Sequence, residues 1–194
     1  ITINPSSDFL SEQTVYVAIG ATVEDFFDNP ISFTSAIFAV ADTTSPTAVF
    51  DPDDLETAVA VSANITITFN EVVRNTDDTA LTNSNVDSLI TVKDTDSSGS
   101  DIAFDATVDN TNKVITINPS SEFSSEQTVY VAIGATLEDS SGNLITAISA
   151  TFNAADTTPP VVSFSPQNSA TGVAVNSDIT IALDEEVRNT DDTV

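Results

Sequence analysis

The heptapeptide Ile1-Thr-Ile-Asn-Pro-Ser-Ser7 returns as Ile115-Thr-Ile-Asn-Pro-Ser-Ser121, and the decapeptide from Ser11 to Gly20 returns unchanged as Ser125 to Gly134. The displacement is 114 residues, and it holds without a gap to the segment Val73 to Thr79, which reappears as Val187 to Thr193. About 60% of the overlapping positions are identical, far above chance for a fixed register. A period of this length is that of a domain with its own core. The phrase Ala41-Asp-Thr-Thr-Ser-Pro46 and its counterpart Ala155-Asp-Thr-Thr-Pro-Pro160 mark the boundaries, because proline removes backbone donors and stiffens an extended link. Residues 1–41 are then the C-terminal part of one repeat, 42–155 a complete repeat, and 156–194 the N-terminal part of the next. On this division both ends cut through a domain, and the chain reads as a sample of a longer polymer.

Within 42–155, short apolar or alternating runs fall at 47–50, 64–69, 88–92, 102–108, 113–118, 128–133 and 147–152. Asp-, Asn-, Ser-, Pro- and Gly-rich turns separate them. Thr, Val, Ile and Ala dominate, which suits pleated, half-buried strands. Seven strands in about 114 residues is the count of an immunoglobulin-like sandwich, so the predicted fold is all-β, with tandem antiparallel sandwiches arranged end to end. Seven alternating strands bring the chain in at one pole and out at the other, so that copies line up as a rod. The segment 71–85 has weak periodicity and room for one turn of helix. The expected core comprises Val49, Ile65, Ile67, Phe69, Ile90, Val92, Ile102, Phe104, Val114, Ile115, Ile117, Val129, Val131, Ile148 and Phe152. Ile115 breaks the alternation, so an outward direction is also open to it. Tyr16 and Tyr130 sit mid-strand and are expected in the core.

Thirty acidic residues against four basic ones give a formal charge of −26, which repels phosphate backbones and anionic lipid surfaces and attracts cations. Nucleic acid and direct membrane insertion are therefore excluded as partners. With no Cys and no His, thiolate metal sites and base-activated nucleophiles of the common kinds cannot be assembled. The chain is expected not to be an enzyme.

Three phrases carry a family resemblance: Asp156-Thr-Thr-Pro-Pro-Val161, the Pro-containing turn from Ser165 to Asn176, and the strand from Ile179 closing on Glu185-Glu186-Val187. Together they resemble the bacterial Ig-like domains typified by S-layer proteins, with Ala174 and Glu186 in place of two prolines usual there. Glu138-Asp-Ser-Ser-Gly-Asn143 looks like the family's Asp-x-x-Gly-Asn turn, which Phe26-Phe27-Asp28 breaks in the first copy. The resemblance covers the whole chain and implies a secreted, multi-copy module of adhesins, S-layers and surface fibres.

Calcium is the one cofactor the sequence suggests. Asp94, Asp96, Ser98 and Asp101 surround Gly99 at a spacing that can wrap hard oxygen ligands around a cation; the same residues also suit a plain polar turn. Strand parity puts this loop at the C-terminal pole of its repeat beside Asp156, with Glu185, Asp191 and Asp192 expected to face it from the next repeat. A divalent ion would then lock acids of two domains across a stiff joint, and salt screening is the alternative. Thr43, Thr79 and Ser88 lie in short phrases of the kind used for bacterial O-glycosylation, and Lys93 and Lys113 are read as surface charge rather than cross-linking groups.

The function these readings imply is a structural repeat of a secreted bacterial surface filament, stalk or adhesin shaft. The alternatives are a carbohydrate- or protein-binding adhesion module and an S-layer lattice component. The expected partners are neighbouring repeats of the same chain and lateral copies in a fibre.

Overall fold

A computed structural model describes residues 1–189. Asp191 and Asp192, placed at a joint by the sequence, lie outside the described residues. The chain divides into two compact units, Ile1–Ala155 and Asp156–Val194. In the first unit β1 (Thr14–Ile19) and β2 (Thr34–Ala39) form a hairpin ahead of the linker. The strands β3 (Ala48–Asp51), β4 (Ile65–Phe69), β5 (Arg74–Asn75), β6 (Ile90–Asp94), β7 (Phe104–Val108), β8 (Val114–Pro119), β9 (Thr128–Ile133), β10 (Leu137–Glu138) and β11 (Ile148–Asn153) follow it. In the second unit β12 (Val162–Ser165) pairs with β13 (Thr180–Leu183).

The complete repeat is a sandwich of a four-stranded sheet, in the order β3-β4-β8-β7, and a three-stranded sheet, β11-β9-β6. Every pairing in both is antiparallel. A period of two puts alternate residues on one face. Thus Ile65 and Ile67 of β4 stand opposite Ile117 and Ile115 of β8, and all four are fully buried. The second sheet meets them with Val129 and Val131 of β9, Val92 of β6 and Phe152 of β11, the last edge-on to Phe123 at 5.5 Å between centroids. Burying side chains of this size stabilises by about 1.5–3 kcal/mol each, enough together to define the register.

The seven strands of the two sheets overlap the runs read from the sequence, β5 and β10 are additional to them, and four side-chain directions differ. Val49 is 63% exposed, because pairing of Phe50 with Ile67 turns Ala48 and Phe50 inward instead. Ile115 points inward, and it is Val114, half-buried at the strand start, that leaves the core face. Tyr130 is half-buried on the outer face of β9, since the parity that buries Val129 and Val131 must send Tyr130 out. Tyr16, its counterpart in β1, is likewise exposed. The expected helical turn is a short 3-10 helix at Val86–Leu89, just beyond the predicted segment. That segment instead contributes β5, which pairs with β10. Arg74 joins the pair through its Nε and a terminal nitrogen, both 3.1 Å from Glu138 Oε1.

Candidate functional site

The two poles of the repeat can be followed along β9. At its Thr128 end Thr95 N donates to Thr128 O and Glu126 N to Ala155 O, so the 94–101 loop and the departing chain share this pole. At the Ile133 end the chain arrives, where Asn143 Nδ2 donates to the carbonyl of Asp42 at 3.2 Å. Asp42 and Ala155 thus occupy opposite poles, as strand parity requires.

At the arriving pole the linker is clamped to the preceding segment. Ser11 Oγ donates to Asp42 Oδ1 at 2.7 Å, and the same hydroxyl accepts from Thr43 N at 2.9 Å. Asp42 Oδ1 also accepts from Thr44 N at 2.9 Å, closing an Asx turn that fixes the direction of the link. Beside it stands Asp139, 1% exposed, which holds the Asp-x-x-Gly-Asn turn. Its Oδ1 accepts from Ser141 N and Asn143 N, and its Oδ2 from Asn143 Nδ2. Gly142 has φ +86°, a left-handed conformation that costs most side chains about 1–2 kcal/mol and that Asp or Asn tolerates best. In the first copy the turn survives the change to Phe26-Phe27-Asp28: Asp25 Oδ1 accepts from Phe27 N and Asn29 N, with Asp28 at φ 62° in place of glycine. Both phenylalanine rings are fully exposed, and no part of the first unit covers them.

Asp42, Glu71 and Asp139 bring carboxylate oxygens within 4.8 Å of one another. Burial, then the charges of Asp139, Asp42 and Glu12, push the Glu71 carboxyl above its usual range. Asp139 goes the other way: burial works against its charge, but hydrogen bonds from Asn143, Ser141 and Gly142 outweigh it and hold the group below the usual value. Three such carboxylates could supply part of the coordination sphere of a hard cation such as calcium, which takes about six to eight oxygens. Sequence reasoning missed this trio, although the repeat could have found most of it. Asp42 and Glu71 lie one period before Asp156 and Glu185, the two residues chosen as ligands.

The other chosen ligands lie at the opposite pole, each with a local partner. Asp94 Oδ1 accepts from Gln127 Nε2 at 3.2 Å. Asp96 Oδ1 accepts from Ser98 N and Ser98 Oγ, which lowers its pKa. Asp101 pairs with Lys93 Nζ at 2.6 Å. Gly99 is required here, because a Cβ would fall 1.5 Å from the carbonyl oxygen of Asp94. Among the described residues Asp94, Asp96 and Asp101 do not converge as Asp42, Glu71 and Asp139 do. Asp156 Oδ1 accepts from Thr158 N at 2.9 Å; it and Glu185 belong to the second unit. Thr43, Thr79 and Ser88 are exposed, and the hydroxyls of Thr79 and Ser88 already donate to Asp77 and to the Asn85 carbonyl.

Two facing antiparallel sheets with a chain that arrives at one pole and leaves at the other define an immunoglobulin-like sandwich module. A profile of the bacterial Ig-like domain matches residues 42–154 and again 155–193, and the chain belongs to that family of bacterial surface and extracellular modules. No curated protein matches it by sequence. Among solved structures it is similar to the crystal structure of CopC from Methylosinus trichosporium OB3b, at 13% identity. That match covers 60% of this chain and 98% of the other with a TM-score of 0.40, too slight a likeness to bear on function. Among the described residues no helix is long and apolar enough to cross a membrane.

Proposed function

We propose that the chain is a structural, non-enzymatic repeat of a secreted bacterial surface filament, stalk or adhesin shaft. The observation that carries this reading is the joint: the Ser11–Asp42 clamp at the pole opposite Ala155. The same serine and aspartate recur at Ser125 and Asp156, and a shaft needs one joint many times over. Calcium is the joint cation in this reading, held by Asp42 and Glu71 with Asp139, and one repeat later by Asp156 and Glu185. Solution scattering of the chain and of longer tandem arrays tests the proposal. The maximum dimension should grow by a constant increment per repeat, and shrink when a chelator is added. Arrays that compact instead of lengthening would remove the shaft.

A binding module is the second reading, favoured by one observation. Phe26 and Phe27 are exposed where the complete repeat carries Ser140 and Ser141, themselves exposed. Micromolar binding on a glycan or protein array that Phe26→Ser and Phe27→Ser abolish would favour it over the shaft.

A further inference from the structure

The sheet edges of the complete repeat are closed in different ways. Beside β11 runs residues 55–59, with Leu55 N and Val59 N donating to the carbonyls of Thr151 and Asn153 at 2.6 and 3.1 Å. Beside β6 runs residues 100–102, with Ile102 N donating to Val92 O at 3.0 Å. The third edge, β3, is four residues long between Pro46 and Pro52. Among the described residues β7 is paired only with β8, yet its outward amides are not free. Ala106 N donates to Asp87 Oδ1 at 2.9 Å, and Val108 N to Asn83 Oδ1 at 3.0 Å.

These two acceptors sit on a strap held from below. Leu81 and Val86 are buried at its two ends, and Asn85 ties it together, its Oδ1 accepting from Thr82 N at 2.8 Å. Asn83 and Asp87 themselves are exposed, so neither is there to fill the core. An edge strand with free amides is a template for another strand. Here the template is acceptable to itself. Antiparallel pairing of two copies about Ala106 would set Phe104 opposite Val108 and Asp105 opposite Thr107, so no like charges meet. It would also use the outward amides of 104, 106 and 108, two of which the strap occupies. Tandem copies hold such edges at high local concentration.

We propose that Asn83 and Asp87 form an edge guard that prevents β7 from pairing with β7 of a second copy of the chain. The guard works through acceptor oxygens, not through charge. It stands independently of the shaft reading, because it rests on the sheet edge and not on the joint.

Amide hydrogen exchange and sedimentation of the full chain, each read over a range of concentrations, test it. In Asn83→Ala/Asp87→Ala the amides of Ala106 and Val108 should exchange about tenfold faster in dilute solution, as expected for a lost hydrogen bond. They should regain protection as concentration rises and dimers appear. Asn83→Asp/Asp87→Asn keeps both acceptor oxygens and should behave as the wild type does. Asn83→Ala alone, a change at one exposed side chain, gives the same reading at Val108 if the double variant does not fold. Faster exchange with no dependence on concentration would overturn the guard, as would exchange that does not change at all.

Discussion

Replacing Glu71 with Gln removes one charge from the trio at the joint and leaves its shape. Carboxylate oxygens within 4.8 Å repel by about 1 kcal/mol per pair at the dielectric of water and by several times that at an effective value near 20. Glu71 and Asp42 are half-buried while Asp139 is buried, so the watery figure is the lower bound for the two pairs that Glu71 makes. Two pairs less salt screening leave a gain of about 1 kcal/mol. For a unit of this size that raises the melting temperature by about 3 °C. The sign with pH follows from the raised carboxyl of Glu71. Folding favours its protonated form, so the penalty is absent below the ordinary value of 4.5 and grows to its full size as pH rises past the folded-state value. Calorimetry with chelator at low ionic strength should show the variant melting above the wild type at pH 7. The two should coincide near pH 4, and the difference should shrink in molar salt. Under the calcium reading, millimolar calcium raises the wild type and reverses the order. A variant that melts at or below the wild type at pH 7 in chelator would mean that the three acids do not strain the joint.

Arg74→Ala strips the cation from Glu138, 8% exposed, and should cost about 3 kcal/mol in urea unfolding; a loss under 1 kcal/mol would show that Glu138 does not depend on this ion pair. The hydroxyl of Thr111, then the amides of Val114 and Lys113, hold Asp109 down to a pKa of about 2. It therefore contributes stability above its ordinary value of 3.8 that is lost as pH falls through about 2. Asp109→Ala should melt lower at pH 6 and lose its difference from the wild type near pH 2, and a difference that persists there contradicts the assignment. Phe26→Ser/Phe27→Ser should leave the melting curve unchanged while reducing binding of a hydrophobic dye, and a lowered melting temperature would mean the rings are covered after all.

The sequence by itself determined the period, the strands, the sandwich and the opposite poles. All of these follow from local alternation, turn residues and counting. It also held the Asp139–Asn143 turn, whose Asp, Gly and Asn act within five residues of chain. It over-read the Phe26-Phe27-Asp28 change, because Asp28 can take the left-handed conformation that glycine takes at 142. It had the inward parity of β4, β6 and β9 right, but it could not determine that parity for every strand. Alternation says that one face is buried, and cross-strand partners decide which: Ile67 draws in both Phe50 and Ile115, against the expectation for Val49. The acidic trio and the edge guard lie further still from sequence reasoning. Asp42, Glu71 and Asp139, or Asn83 and Val108, come from distant stretches of chain. Their meeting depends on how the sheets and the strap pack, which only the tertiary structure decides.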